Sequence, residues 1–410
     1  MTDGPRTAGR PIFILGKGVI DGTGNGLREG VGVLVRDGRI AAVGAPGELD
    51  LDGVERVDAG DDVIVPGFVD SHTHVTIRPG EGDQHGQIVK PHVWQAIRGV
   101  DNLRRMISSG VTTMKSMTEE AEIDIEYRAA VERGEIVGPK IRASRRGFSP
   151  PGGHGSAAGG VAGVENLRAQ VREHAAKGAD HIKIFTTGGV SSEHSTLDES
   201  AYSPEEIAAI VDEAAKHGLK VSSHAHGGPG LTYAVENGIH SVEHGAMIDE
   251  ASAAEMARRG TWLVLTNSIL FHPTGIEQGD AKRPAIMAKV VEARKAALKS
   301  AQIVRAAGVR VAVGTDSMHG LFGYEMQWMV EQGWTPEEAL IAATRSGAEL
   351  IGLDDIGTIE PGKRADLVLL RGNPLEDIRA VYEVDGVYRD GYQVVLSDGS
   401  VRTPAMESTK

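Results

Sequence analysis

The residues of this 410-residue chain best suited to chemistry are histidines, one lysine and one aspartate at spaced positions. His72 and His74 stand two apart in Val69-Asp70-Ser71-His72-Thr73-His74, directly after the apolar run Val63-Ile64-Val65-Pro66-Gly67-Phe68. That run reads as a buried strand bounded by turn residues. Side chains on an extended chain alternate between faces, so the two imidazoles project the same way. Neutral imidazole is the commonest nitrogen ligand for zinc, and a convergent pair makes half of a transition-metal site. Further along, Lys183, His224, His244 and Asp316 stand at or near the ends of strand-like segments. Each alone has an ordinary explanation: His224 as a buried or capping residue, Asp316 as a cap on the turn after Gly314-Thr315, Lys183 as a side chain snorkelling from a mouth. Together they are candidate metal ligands or ligand precursors.

The elements that must position them alternate. After the His72 strand, helical stretches are expected at 92–109, 119–134, 164–177, 204–217, 229–237, 250–259 and 284–307, with strands between them, the last ending at Gly314-Thr315-Asp316. Ser203 with Pro204 is a helix start, an N-cap followed by proline in the first turn. Helices at 324–332 and 336–351 complete the set. Eight strands separated by helices imply a parallel sheet, and eight is the count that closes a (β/α)8 TIM barrel, here spanning 66–356. An open doubly wound sheet is the alternative, but no G-x-G-x-x-G opens a helix. In a barrel, functional groups sit where strands run into the following loops, which puts all six candidates on one rim.

Both chain ends have a different texture. Val31 to Val43 reads as a hairpin across Asp37-Gly38, and Ala365 to Leu370 and the segments around Tyr388 and Val394 read as strands. Residues 1–65 and 357–410 are each too small for a core and are expected to join as one composite β-sandwich. Two unrelated flanking meanders are the alternative. The fold class is therefore α/β, a barrel with a small sandwich.

Composition narrows the function. A net charge of −14 argues against nucleic acid or an anionic membrane surface as partner. Zero cysteines exclude disulfides, thiolate zinc sites and a cysteine nucleophile, and fit a reducing, cytoplasmic compartment. Met1 to Arg10 is polar, with no signal-peptide core, and no run reaches the roughly 18 apolar residues of a membrane span.

The sequence resembles the amidohydrolase superfamily from about Ile12 to Val395. The resemblance is carried by Pro66 to His74, Ser223-His224-Ala225-His226-Gly227, Val242-Glu243-His244-Gly245, Gly314-Thr315-Asp316 and Pro361-Gly362-Lys363-Arg364-Ala365-Asp366-Leu367. Ile182-Lys183-Ile184 followed by Thr187-Gly188-Gly189-Val190 is similar to the prolidase-like branch, which cleaves dipeptides and N-acyl amino acids, and to related enzymes acting on mycotoxin or herbicide amides. The resemblance implies two divalent metal ions, zinc being expected. His72 and His74 would hold one and His224 and His244 the other. Lys183, carboxylated by CO2, would bridge them as a carbamate, and Asp316 would complete the shell of the first metal and accept the proton. A carbamate is an anionic oxygen donor where an ammonium is none, and burial beside cations favours the free amine that carboxylation needs. A hydroxide shared by the metals would attack the amide carbonyl, with His226 contacting the carbonyl oxygen.

Selectivity must come from loops. Arg142, Arg145, Arg146 and the Gly152-Gly153-His154-Gly155 turn follow strand 3 and are candidates for receiving a substrate carboxylate, the alternative being a solvated basic loop. Ser191 to Tyr202 is a candidate lid. Arg78 to His85 is too polar for an apolar pocket alone, and Trp94, Phe148, Trp262 and Phe271 are candidate walls, though most are expected to pack elsewhere. The substrate is expected to be a small molecule and the protein a homo-oligomer. The rival readings are a deaminase or cyclic-amide (imidazolone-type) hydrolase, which places no lysine on strand 4, and a non-catalytic relative, which would have lost ligands.

Overall fold

The computed structural model describes residues 10–403 except 158. The polar segment Met1 to Arg10 lies outside them apart from Arg10, as do the tail residues 404–410. The chain opens with six short strands: β1 (Ile12–Leu15), β2 (Gly18–Ile20), β3 (Leu27–Glu29), β4 (Gly32–Arg36), β5 (Arg39–Gly44) and β6 (Glu55–Asp58). β4 and β5 pair across Asp37-Gly38, and both turn residues take positive φ, 52° and 74°. That backbone matches the twist of the flanking strands.

The apolar run ahead of His72 is two strands, not one. β7 (Val63–Pro66) and β8 (Phe68–Thr73) are separated by Gly67. A Cβ on Gly67 would lie 2.2 Å from Thr112 Oγ1, so only glycine lets the chain pass so close to the next strand. From β8 the strand–helix alternation begins, with β9 (Val111–Ser116), β10 (Lys140–Arg142), β11 (His181–Phe185), β12 (Lys220–Ala225), β13 (Ser241–His244), β14 (Trp262–Leu265) and β15 (Val311–Val313). All are parallel, in runs β8-β9-β10 and β11-β12-β13-β14-β15. Two seams join these runs. Beyond β10, Phe148 bridges to Ile184, its N–H donating to Lys183 O at 2.8 Å while its carbonyl accepts from Phe185 N at 2.9 Å. On the other side, Asp316 N–H donates to His72 O at 2.9 Å, and Asp70 accepts from Thr315 N at 3.0 Å and Thr315 Oγ1 at 2.6 Å. Candidate ligands sit on both seams.

Helices Glu250–Arg259 and Pro284–Ala307 fall where the apolar period places them, and Ser203 and Glu206 form a capping box on Pro204–Lys216. The stretch 336–351 is instead two helices, Pro336–Ala342 and Arg345–Ile351, broken at Thr344. Thr344 leaves the helical region and its hydroxyl bonds Leu340 O at 2.7 Å, the side-chain competition expected of threonine. The stretch 119–134 begins late, at Ile123, because Glu119 is drawn inward to accept from Val75 N and Thr76 Oγ1.

The tail returns as β16 (Leu367–Leu370), β17 (Val384–Arg389) and β18 (Tyr392–Val395). These join the N-terminal strands in a six-stranded sheet, β18-β17-β16-β7-β2-β3, beside a four-stranded sheet, β5-β4-β1-β6. Ile14, Val33, Ile64, Leu367, Leu369 and Tyr388 are buried together in the apolar cluster of these strands. No helix among the described residues is long and apolar enough to cross a membrane.

The β15–β8 seam tolerates no bulk. A Cβ on Gly314 would lie 2.5 Å from His72 N and 2.6 Å from His72 Cβ. Gly314→Ala is expected to lower unfolding free energy by about 1–3 kcal/mol, the scale of overpacking. Gly47→Ala, where a Cβ meets open space, should stay within about 0.5 kcal/mol. Parallel urea titrations check both, and equal midpoints for the two variants would remove the steric argument.

Candidate metal centre

His74, His224 and His244 line one cavity, His72 lies fully buried in ring contact with His74 and His244, and each of the four has one ring nitrogen engaged by the protein. His72 Nδ1 is 2.8 Å from Glu243 Oε2 and His74 Nδ1 is 3.4 Å from Thr118 O. His224 Nε2 is 3.1 Å from Gly188 O, and His244 Nδ1 is 2.7 Å from Thr266 Oγ1. A ring that donates through one nitrogen to an acceptor keeps a lone pair on the other, which is how ligating histidines are oriented. His72 Nε2 and His74 Nε2 lie 3.4 and 3.5 Å from Asp316 Oδ1, and these three residues form a group able to hold a metal ion. The His72 and His244 ring centroids are 4.7 Å apart, and those of His224 and His244 are 4.5 Å apart. Lys183 lines the same cavity from β11. His72 Nε2 and Lys183 Nζ are buried without a hydrogen-bond partner among the described residues. The Lys183 amine lies 5.3 Å from the Phe185 ring centroid, and a carbamate there would replace a buried ammonium by an anionic oxygen donor.

Protonation agrees with that use. Burial holds His74 down to about 4 and His224 and His244 well below the usual imidazole range, so all three are neutral at physiological pH. Burial also pulls Lys183 down to about 8, against the raising influence of Glu243 and Asp316. For Asp316 burial works upward, but the approach of His72, His74 and Lys183 outweighs it and holds the carboxyl at about 2. Neutral imidazoles, an ionised carboxylate and an amine within reach of neutrality are the states in which these groups ligate or carboxylate. Backbone strain gathers here too. His244, Asp316 and Ser317 take positive φ (74°, 45° and 75°), a conformation costly for residues with a Cβ and concentrated at functional sites.

Of the remaining candidates, His226 and His154 line the cavity, with ring centroids 4.9 and 4.5 Å from that of His224. Arg142 does not. It lies outside the cavity lining and pairs with Asp180 at 3.0 Å. Arg145 is likewise held by Glu122 at 2.7 Å. The basic cluster after β10 therefore does not supply a substrate-carboxylate receptor through either residue. Asp180 and Glu122, distant in sequence, pair with them. Among the proposed walls, Trp94 carries Arg98 over its ring, Trp262 carries Arg310, Phe148 meets His174 and Phe271 meets Trp328. None lines the cavity; Phe185, Ile77 and Ile88 do. The 191–202 loop contributes Ser191 and is tethered by Glu193–Arg283 and by Lys289 Nζ on the carbonyls of Ser192 and Ser195.

The sequence reading missed the support behind His72. Lys115 Nζ donates to Ser222 Oγ at 2.6 Å, the Ser222 and Ser241 hydroxyls lie 2.9 Å apart, and Ser241 Oγ donates to Glu243 Oε1 at 2.6 Å. Burial would raise the Glu243 carboxyl, but Lys115 and His72 hold it well below the usual range. The available signal was two charged residues, Lys115 and Glu243, inside strands of a barrel core that is normally apolar. Glu243→Gln is expected to weaken metal binding about 10–100-fold, the usual effect of removing a carboxylate behind a ligating histidine. Chelator competition measures it, and unchanged affinity would mean that Glu243 does not orient His72.

Residues 63–394 match the Amidohydrolase family. The chain belongs to that family. The amidohydrolase is 30% identical over 409 residues to ochratoxinase from Aspergillus niger, covering 90% of this chain and 83% of the relative. It is 27% identical over 380 residues to imidazolonepropionase from Rhizobium rhizogenes, covering 82% and 85%. A prolidase crystal structure complexed with N-methylphosphonate-L-proline superposes with a TM-score of 0.85 at 32% identity, covering 94% of this amidohydrolase and 99% of that chain. This amidohydrolase is a hydrolase acting on carbon–nitrogen bonds, in the prolidase-like and amide-hydrolase branch.

Proposed function

We propose that this amidohydrolase holds two divalent cations, zinc first among the candidates for a nitrogen and carboxylate donor set, and cleaves the amide bond of a small molecule. The substrate class is a dipeptide, an N-acyl amino acid or a xenobiotic amide, carbamate or urea. The observation that carries this reading is the set of four imidazoles, each with one nitrogen engaged by protein, arranged around Asp316 and Lys183, whose Nζ has no hydrogen-bond partner among the described residues. His72, His74 and Asp316 would hold one cation and His224 and His244 the other, with Lys183 as the carbamate between them. When bound, the cations supply a nucleophilic water near neutral pH and polarise the carbonyl. Asp316, ionised throughout the working range, accepts the proton of the attacking water and returns it to the leaving nitrogen. His226, neutral and with Nδ1 unpartnered among the described residues, would contact the carbonyl oxygen.

The imidazolonepropionase relatives favour a second reading, cyclic-amide hydrolysis or deamination. A single-cation centre of that kind has no use for a buried lysine on β11. Metal analysis combined with a hydrolysis panel of N-acyl amino acids, Xaa-Pro dipeptides, aryl ureas and carbamates separates the two. The expected result is about two metals per chain and chelator-sensitive amide cleavage. One metal with ring opening of a cyclic amide, or with ammonia release from an amine-bearing substrate, would favour the rival.

A further inference from the structure

A second cleft, of about 610 Å3, shares no lining residue with the cavity over the candidate metal centre. Its walls are Arg78 and the turn Pro79–Glu81 after β8, the helices His92–Ser108 and Ile276–Asp280, and the turn Ser317-Met318-His319 that follows Asp316. The walls are packed closely. Gln278 Nε2 donates to Gly80 O at 3.2 Å, and a Cβ on Gly320 would lie 3.9 Å from Arg105 Cβ. Ser317 is 3% exposed, and its hydroxyl and both ring nitrogens of His319 are buried without a hydrogen-bond partner among the described residues. Positive charge is in surplus here. Asp101 is shared by Arg78 Nη2 at 2.6 Å, Arg105 Nε at 2.8 Å and Arg104 Nη2 at 3.3 Å. Glu81 is shared by Arg98 and, at 3.7 Å, Arg78 Nη1. Four guanidiniums thus divide two carboxylates between them, in a chain whose net charge is −14. Arg105 is half exposed and is bonded through Nε alone among the described residues, so its two Nη groups remain for another acceptor.

We propose that this cleft binds a phosphate dianion, free or as the terminal group of a small phosphomonoester, at a site separate from the metal centre. Arg105 offers both Nη groups and Arg78 its loosely paired Nη1, and guanidinium N–H groups match phosphate oxygens in charge and geometry. Ser317 and His319 offer buried donors that lack an acceptor, and a ligand that bonds them removes the cost of leaving them unmade. A dianion offsets the surplus of two guanidiniums, and its oxygens can engage several of these donors at once. A monocarboxylate carries half that charge and has two oxygens, so it leaves donors unsatisfied. Sites built from unpaired polar groups discriminate strongly against ligands that do not satisfy them.

Calorimetric titration of the metal-loaded enzyme with inorganic phosphate, with glycerol 3-phosphate and with acetate tests this. At least one of the two phosphates is expected to bind with a Kd of about 1 mM or tighter, and acetate at least tenfold more weakly. Tighter binding of inorganic phosphate marks a free-ion site, and tighter binding of glycerol 3-phosphate a phosphomonoester site. Divalent cations also attract phosphate, so the titration is repeated on Lys183→Met, the variant designed to lose metal. Phosphate binding is expected to persist there and to weaken at least tenfold in Arg105→Gln and in His319→Gln. Arg105 is half exposed, so Arg105→Gln leaves the core intact and decides the matter if His319→Gln fails to fold. Binding that is lost in Lys183→Met but unchanged in Arg105→Gln belongs to the metal centre and overturns the proposal. Failure of both phosphates to bind, acetate as tight as phosphate, or unchanged binding in Arg105→Gln overturns it equally.

Discussion

Replacing Lys183 by alanine is expected to reduce metal content from about two per chain to one or none, and turnover by more than about 10³-fold, beyond the loss seen when one preorganised stabilising group is removed. Lys183 is 1% exposed, its amine has no hydrogen-bond partner among the described residues, and its burial pulls the ammonium towards neutrality. Alanine also opens space in the barrel, so Lys183→Met supplies the control: it fills the volume and cannot be carboxylated. Both variants should lose metal by elemental analysis, while Lys183→Met keeps a near-native melting temperature in the metal-free state. Two metals and full rate in either variant would show that the bridging assignment is wrong.

Asp316→Asn should separate proton transfer from metal holding. The amide keeps the shape and one carbonyl oxygen, so at least one cation is expected to remain, while kcat falls about 10²–10⁴-fold, the range for loss of a positioned acid–base group. The pH dependence is also fixed in direction. The native carboxyl is held at about 2, below its ordinary value, so its stabilising contribution is complete above the unfolded value and fades only as pH falls through about 2. The acid limb of kcat/KM therefore arises from other groups, and wild type should show no inflection attributable to Asp316 above pH 4. Retention of full kcat by Asp316→Asn would return the proton-transfer role to another residue, with His226 the nearest candidate.

Much of the barrel was legible because strand–helix alternation is a local property, and helices such as Glu250–Arg259 carry their period, their Asp249 cap and their Gly260 terminator in sequence. His72, His74, His224, His244 and Asp316 were legible because they end apolar segments, and the structure brings them to one rim with Lys183. What failed depended on distant partners. Nothing near Arg142 announces Asp180 as its counter-ion, and the Glu119 side chain turns inward only because Val75 and Thr76 arrive beneath it. The Lys115–Ser222–Ser241–Glu243 chain was hidden for the same reason, since its members lie on separate strands. Gly67 was visible as a glycine, but its role as the break between β7 and β8 needed the position of Thr112.

The pairing of β7 with β16 has a consequence for biogenesis. β8, which bears His72, leaves β7 after a single glycine, and β7 is flanked by β2 and by a strand that begins at Leu367, beyond the whole strand–helix alternation in the chain. Contacts between residues so distant in sequence form late and slowly. While the polypeptide is still being made, the root of the first ligand strand is held on one side only. Capture of a cation through His72 is accordingly expected only after β16 has joined β7, and chains truncated before Leu367 should not retain metal.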